Sequence, residues 1–344
     1  MSLGIVSQSV RKGFRTLFFV VFLFDLVGCA LPVFQKDPPL PVGVENLKPG
    51  DIFLGLSHSP ISLLFASGGD ASLLKQSEGD AFNHAMILLA PSSQEEEWSL
   101  VGMERGHISK NSLNASFPRS RFVAFYRLKE PDDAGVRIAQ RVRKFLEDPQ
   151  VQNATFDYQL KDLPGRRNQF FCLGFVNEVY RTEGLPLPFL PPSPPRSSAM
   201  TDEATRLLKT DMGTTLIALD IKNNPSYQRV FFWKNPHLSE DRYWVDVQVF
   251  QILETFTAEG WRLKGKGSVL EARVGHLFGI VPSKAVEIDR YESSLSRFYK
   301  KIHSTWGRLK RQGRIEGLNE AEKSKLLERI CLKYRNEFFK KESE

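Results

Sequence analysis

The chain has 344 residues, 41% of them hydrophobic and 11% aromatic. That is enough to bury one sizeable core and a smaller second unit, and it excludes a largely disordered chain. The formal net charge of +7 is concentrated after Pro282, where 16 Lys or Arg face 10 Asp or Glu, a surplus of 6. The rest is close to neutral, so nucleic acid is not an expected partner. Three cysteines are too few for a disulfide framework.

Arg11, Lys12 and Arg15 form a basic start, followed by the apolar run Leu17 to Gly28. A membrane-spanning helix needs roughly 20 apolar residues, so this shorter run reads as a signal segment over residues 1–28. It ends in Leu26-Val27-Gly28-Cys29, which resembles the bacterial lipobox, although Asp25 is an unusual charge so late in the run. The resemblance implies a diacylglyceryl thioether on Cys29, and with it anchorage to a membrane of the bacterial cell envelope. Residues 29–46, rich in proline, read as an extended tether.

Lys48-Pro49-Gly50-Asp51 is a turn signal leading into the strand Ile52-Phe53-Leu54. Ile61 to Gly79, rich in Gly and Ser, reads as a loop or short helix. Ala85 to Leu89, Trp98 to Met103 and Arg121 to Leu128 follow as strands with short polar links, the pattern of an antiparallel meander. Apolar residues at Val136, Ile138, Ala139, Val142, Phe145 and Leu146 have helical spacing that stops at Asp148-Pro149. Phe171 to Tyr180 repeats that spacing, and the prolines between Leu185 and Arg196 exclude a regular element there.

Beyond residue 200 the pattern is weaker. Val230 to Trp233 and Tyr243 to Phe256 are apolar enough to pack, and the last sixty residues read as helical with a basic face. The ordinary reading of such a face is solvation; attraction to anionic lipid or wall polymer is the alternative. Gly260 to Gly267 is a near miss to a phosphate-binding loop, with Gly267 where Ser or Thr belongs.

Chemistry is suggested by three segments in order. Lys48 to Ile52 opens the body, Asn83-His84-Ala85-Met86-Ile87-Leu88-Leu89 opens a strand, and Phe171-Cys172-Leu173-Gly174 opens a helix. A thiol at a helix start sits where unpaired N–H groups and the helix dipole favour its thiolate. A His on a neighbouring strand end is able to take the proton, and a carboxylate on the next strand to orient that His. No His, Cys and Asp cluster has zinc-ligand spacing, so neither metal nor cofactor is expected.

These motifs and their order resemble the YiiX/YaeF group of permuted papain-like enzymes, within the NlpC-type superfamily of cell-wall peptidases. The likeness runs from about Leu47 to Thr182 and includes Phe156-Asp157-Tyr158. It implies an α+β fold, circularly permuted, with an antiparallel sheet packed on the nucleophile helix. Cys172 is then the nucleophile, His84 the base and Glu104 the orienting group, with His107 the rival for the third role. Leu173-Gly174 departs from the Ser-Glu common after the nucleophile.

The implied layout is a catalytic domain over 47–200, an accessory region over 201–282 and a basic helical tail over 283–344. The implied function is hydrolysis of an amide in cell-wall-derived peptides. The alternatives are acyl transfer or thioester hydrolysis on lipid acyl groups, or an envelope lipoprotein that binds without catalysis. A Cys172–Cys331 disulfide would exclude the catalytic reading.

Overall fold

In the computed structural model the described residues are 40–342, apart from 60, 69–72, 75–80, 92–96, 105–106, 158–159, 163, 166, 209, 239 and 265–282. The signal segment, Cys29, most of the tether, Tyr158, His276 and Gly265 to Gly267 lie outside them. No described helix is long and apolar enough to cross a membrane.

Six strands form one antiparallel sheet: β1 (Ile52–Ser57), β2 (His84–Leu89), β3 (Ser99–Glu104), β4 (His107–Ser112), β5 (Ser120–Leu128) and, after the short β6 (Thr155–Phe156) and β7 (Gln169–Phe170), β8 (Tyr227–Lys234). Their spatial order is β4-β3-β2-β1-β5-β8. Side chains alternate between faces along a strand, and here both faces are covered. Ile52, Leu54, Ala85, Ile87, Val101, Met103, Phe122 and Ala124 enter the larger core. Their neighbours Phe53, Met86, Leu88, Leu100, Val123 and Phe125 enter a second one, closed by Leu113, Phe117 and Phe231. This two-sided burial explains why β1 and β2 read as continuous apolar runs.

The helices are α1 (Ile61–Ser67), α2 (Leu113–Ser116), α3 (Ala134–Glu147), α4 (Pro149–Gln152), α5 (Cys172–Thr182), α6 (Ala199–Leu208), α7 (Glu240–Ala258), α8 (Ser283–Arg311) and α9 (Glu320–Phe338). A two-stranded sheet of β9 (Trp261–Leu263) and β10 (Phe339–Lys341) ties the end of the chain back to the residues after α7. Helix α5 packs on β2 and β3. Its Leu173, Phe175, Val176, Val179 and Tyr180 are buried, each worth about 1.5–3 kcal/mol by removal from water. Tyr180 Oη donates to the Gly50 carbonyl at 3.1 Å, fixing the helix to the turn before β1. That turn needs glycine: Gly50 has φ +85°, and a Cβ there would meet the Gly135 carbonyl oxygen at 2.4 Å.

The expected boundary at residue 200 does not separate packed units. Strand β8, from the stretch assigned to an accessory region, pairs with β5 along seven residues, Phe122↔Lys234 to Leu128↔Tyr227, with one register shift. The described residues from Leu40 onward form one compact unit. The proline run between Leu185 and Arg196 is packed into the same unit. Phe189 within it is fully buried, and its N–H and C=O bond the Asn177 side chain of α5 at 3.1 and 2.9 Å. The terminal helix α9 has a capping box, with Asn319 Oδ1 accepting from Glu322 N–H at 3.0 Å and Glu322 Oε2 accepting from Asn319 N–H at 2.9 Å.

Candidate active site

Strand β2 starts at His84 because Asn83 locks the strand end. The Asn83 N–H donates to the Gly55 carbonyl at 3.0 Å, and its Oδ1 accepts from the Ser57 N–H at 2.9 Å. His84 pairs in register with Gly55 of β1. Cys172 is the first residue of α5, preceded by the extended Phe171, and its Sγ lies 3.9 Å from the Asn83 carbonyl oxygen. The N–H groups of Ala85 and Leu173 also approach the sulfur. The thiol is therefore held against the backbone on both sides of His84, with the helix start behind it.

Cys172, His84 and Glu104 line one cavity of about 530 Å³, within the ~300–1,000 Å³ typical of small-ligand sites. Its walls are largely apolar: Phe53, Phe65, Met86, Met103, Phe156, Leu160 and Phe171 among others. Glu104 ends β3, and its Oε1 accepts from Asn111 Nδ2 of β4 at 2.8 Å. It forms no hydrogen bond with His84 but acts on it through charge. His107, opposite Glu104 in the β3–β4 register, is exposed and does not line the cavity.

The electrostatics differ from the helix-start expectation. Cys172 keeps part of its residue surface on the cavity, yet its sulfur is enclosed, and burial pushes the thiol up to about 11. The Ala85, Leu173 and Cys172 N–H groups oppose that rise without cancelling it. Desolvation of a thiolate thus outweighs what a few backbone dipoles return. Burial likewise pushes His84 below its ordinary 6.5, with Glu104 pulling the other way. Its buried Nε2 has no hydrogen-bond partner. At neutral pH a neutral thiol and a neutral imidazole line the same cavity without a hydrogen bond between the thiol and Nε2, which stays unused.

The Leu173-Gly174 departure has a packing reason. A Cβ on Gly174 would lie 2.9 Å from the Phe171 ring, so glycine lets Phe171 fold over the first turn and form cavity wall. Asp157 is a structural carboxylate: buried, it accepts from Lys161 N–H at 2.9 Å and Gln169 Nε2 at 3.4 Å. Asp51 is similar, held by Arg127 Nε and Nη2 at 2.7 Å each. Cys172 and Cys331 are both free, so no disulfide joins them. Among the described residues no group of three His, Cys, Asp or Glu could hold a metal ion.

Several lining residues gave no sequence signal. Met212, Thr215, Leu216 and Ala218 come from the stretch assigned to the accessory region, and Glu292 comes from α8. Glu292 Oε1 accepts from Ser59 Oγ at 2.7 Å across 233 positions of chain, so the second half of the chain completes the site. No motif marks a contact of that range. Compared with known proteins, the chain matches no family model, no curated protein and no solved structure.

Proposed function

We propose that the chain is a cysteine hydrolase of permuted papain-like type, anchored in a bacterial envelope through Cys29 and cleaving an amide bond, with cell-wall-derived peptide as substrate class. One observation carries the reading. The Cys172 thiol, at the start of a helix, is seated against the strand end that bears His84, in a cavity that also holds Glu104. The strand with the base precedes the helix with the nucleophile, as the resemblance implies.

The neutral pair sets the order of events. Substrate enters, His84 Nε2 accepts the thiol proton as Sγ bonds to the carbonyl carbon, and negative charge develops on the carbonyl oxygen. The N–H groups of the first turn of α5 lack intrahelical acceptors and are suited to holding that oxygen. Collapse breaks the C–N bond, and the imidazolium returns its proton to the leaving amine. Water, deprotonated by His84, then releases the acyl group from sulfur and regenerates the thiol. Glu104 favours the imidazolium through its charge.

A second reading is favoured by the apolar walls, which suit an acyl chain better than a charged peptide; the same steps then act on a lipid acyl ester or thioester. Turnover of matched peptide amides and acyl esters by the purified protein tests both. Loss of activity in Cys172→Ala with either substrate class supports the hydrolase, and the preferred class chooses between the readings. Activity that survives Cys172→Ala removes Cys172 as the nucleophile, and no activity on any of these substrates leaves the non-catalytic lipoprotein as the better account.

A further inference from the structure

Helix α8 turns opposite faces to the core and to solvent. Leu295, Phe298, Tyr299, Ile302, Trp306 and Leu309 are buried, while Arg297, Lys300, Ser304, Arg308 and Arg311 are exposed. These five recur at intervals of three and four, so they form one stripe along the helix. From Arg297 to Arg311 it runs about 21 Å at ~1.5 Å per residue. Between Glu292 and Glu316 the chain has no acidic residue.

Not every basic group there is available. Lys301 pairs with Glu337 at 2.6 Å, and Lys310 with Asp241 at 2.9 Å. Lys300, Arg308, Arg311 and the exposed Arg314 just beyond the helix make no ion pair with any described residue. The exposed stripe contains no large apolar side chain that could insert into hydrocarbon, and no aromatic one on which a base could stack. Helices α7 and α9 pack against α8, so it lies flush with its neighbours and cannot enter a groove as a recognition helix does. What remains is a single-sign strip suited to a broad anionic surface.

We propose that this strip docks the folded body on an anionic phospholipid bilayer, by charge alone. The inference is independent of the hydrolase reading. Each basic group near such a surface contributes about 1 kcal/mol, so four set a ceiling of about a thousandfold in partition at low salt. Beyond a Debye length of about 10 Å at 0.1 M the attraction fades, and it shortens further as salt rises.

The test is vesicle flotation of the full chain carrying Cys29→Ser, so that no attached lipid contributes. Neutral phosphatidylcholine vesicles are compared with vesicles containing one-third phosphatidylglycerol. The expected result is stronger binding to the anionic vesicles at low salt, lost at high salt. The combined change Lys300→Gln, Arg308→Gln, Arg311→Gln and Arg314→Gln should weaken it at least tenfold, and replacing the three arginines by lysine should preserve it. Equal partition to both vesicle types overturns the proposal, as does undiminished binding by the glutamine variant or failure of the lysine variant. So does selective retention on duplex DNA through these residues without binding to anionic vesicles.

Discussion

Alkylation of Cys172 by iodoacetamide, followed against pH in wild type and His84→Ala, separates the two effects acting on the thiol. Burial raises the group from its ordinary 9.0 to about 11. Two units leave about a hundredfold less thiolate at pH ~7.5, and the greater nucleophilicity of a more basic thiolate returns about tenfold. Thiolate chemistry alone therefore makes Cys172 about tenfold slower than an ordinary thiol, with a rate rising about tenfold per pH unit toward 11. Any faster reaction near neutrality has to pass through His84 as base. The expected result is a wild-type rate at least tenfold above that of His84→Ala at pH ~7.5, within the range general-base assistance supplies. This advantage should disappear as pH falls through the folded value of His84, which burial places below the ordinary 6.5. Quantitative mass spectrometry of the Cys172 peptide gives both profiles, with Cys331, fully buried and raised to about 12, as the slow internal reference. Superimposable profiles for wild type and His84→Ala would refute the coupling of the two side chains.

Other outcomes follow from the same geometry. Glu104→Gln should reduce turnover by less than His84→Ala and move the acid limb of the pH profile lower, because the charge that raises His84 is gone; His107→Ala, at an exposed position, should leave the profile unchanged. Because His84 is lowered in the fold, the unfolded chain binds the extra proton first, so stability is complete above 6.5 and falls as pH drops through the folded value. His84→Asn should flatten that acid decline in thermal melts, and an unchanged slope would assign it to other groups. Gly174→Ala places a Cβ against the Phe171 ring and should cost about 1–3 kcal/mol, measured by denaturant unfolding; a neutral result would mean that Phe171 shifts freely. Cys29→Ser should move the protein out of the detergent phase in fractionation at high salt, where charge attraction is screened, and unchanged partition would contradict the anchor.

The elements that built the meander were legible because their apolar runs are long and locally bounded, as in Ala85 to Leu89 and Arg121 to Leu128. Strand β4 was not: His107-Ile108-Ser109-Lys110-Asn111-Ser112 has one large apolar residue, as an edge strand facing solvent allows. Val230 to Trp233 read as packable, but its pairing with β5 spans about a hundred residues, and nothing local encodes a partner at that range. The same limit hid Glu292. Cys172, His84 and Glu104 could be picked out in order because each ends or begins a regular element. The direction of the thiol shift could not, since a helix start argues for thiolate while the enclosure that reverses it is a property of the packed chain. Leu173-Gly174 stood out only as a departure from the resembled group; the Phe171 ring above Gly174 gives that residue a packing role.

The central claim is that Cys172 attacks an acyl carbonyl with His84 taking its proton, and trapping the acyl-enzyme tests it most directly. The protein is mixed with an activated acyl ester, quenched in acid within the first turnover and digested for peptide mass analysis. The account predicts an acyl increment on the peptide bearing Cys172, absent in Cys172→Ala and formed about 10²–10⁴-fold more slowly in His84→Ala. An increment confined to Cys331 or to lysines, or equal rates with and without His84, would contradict it.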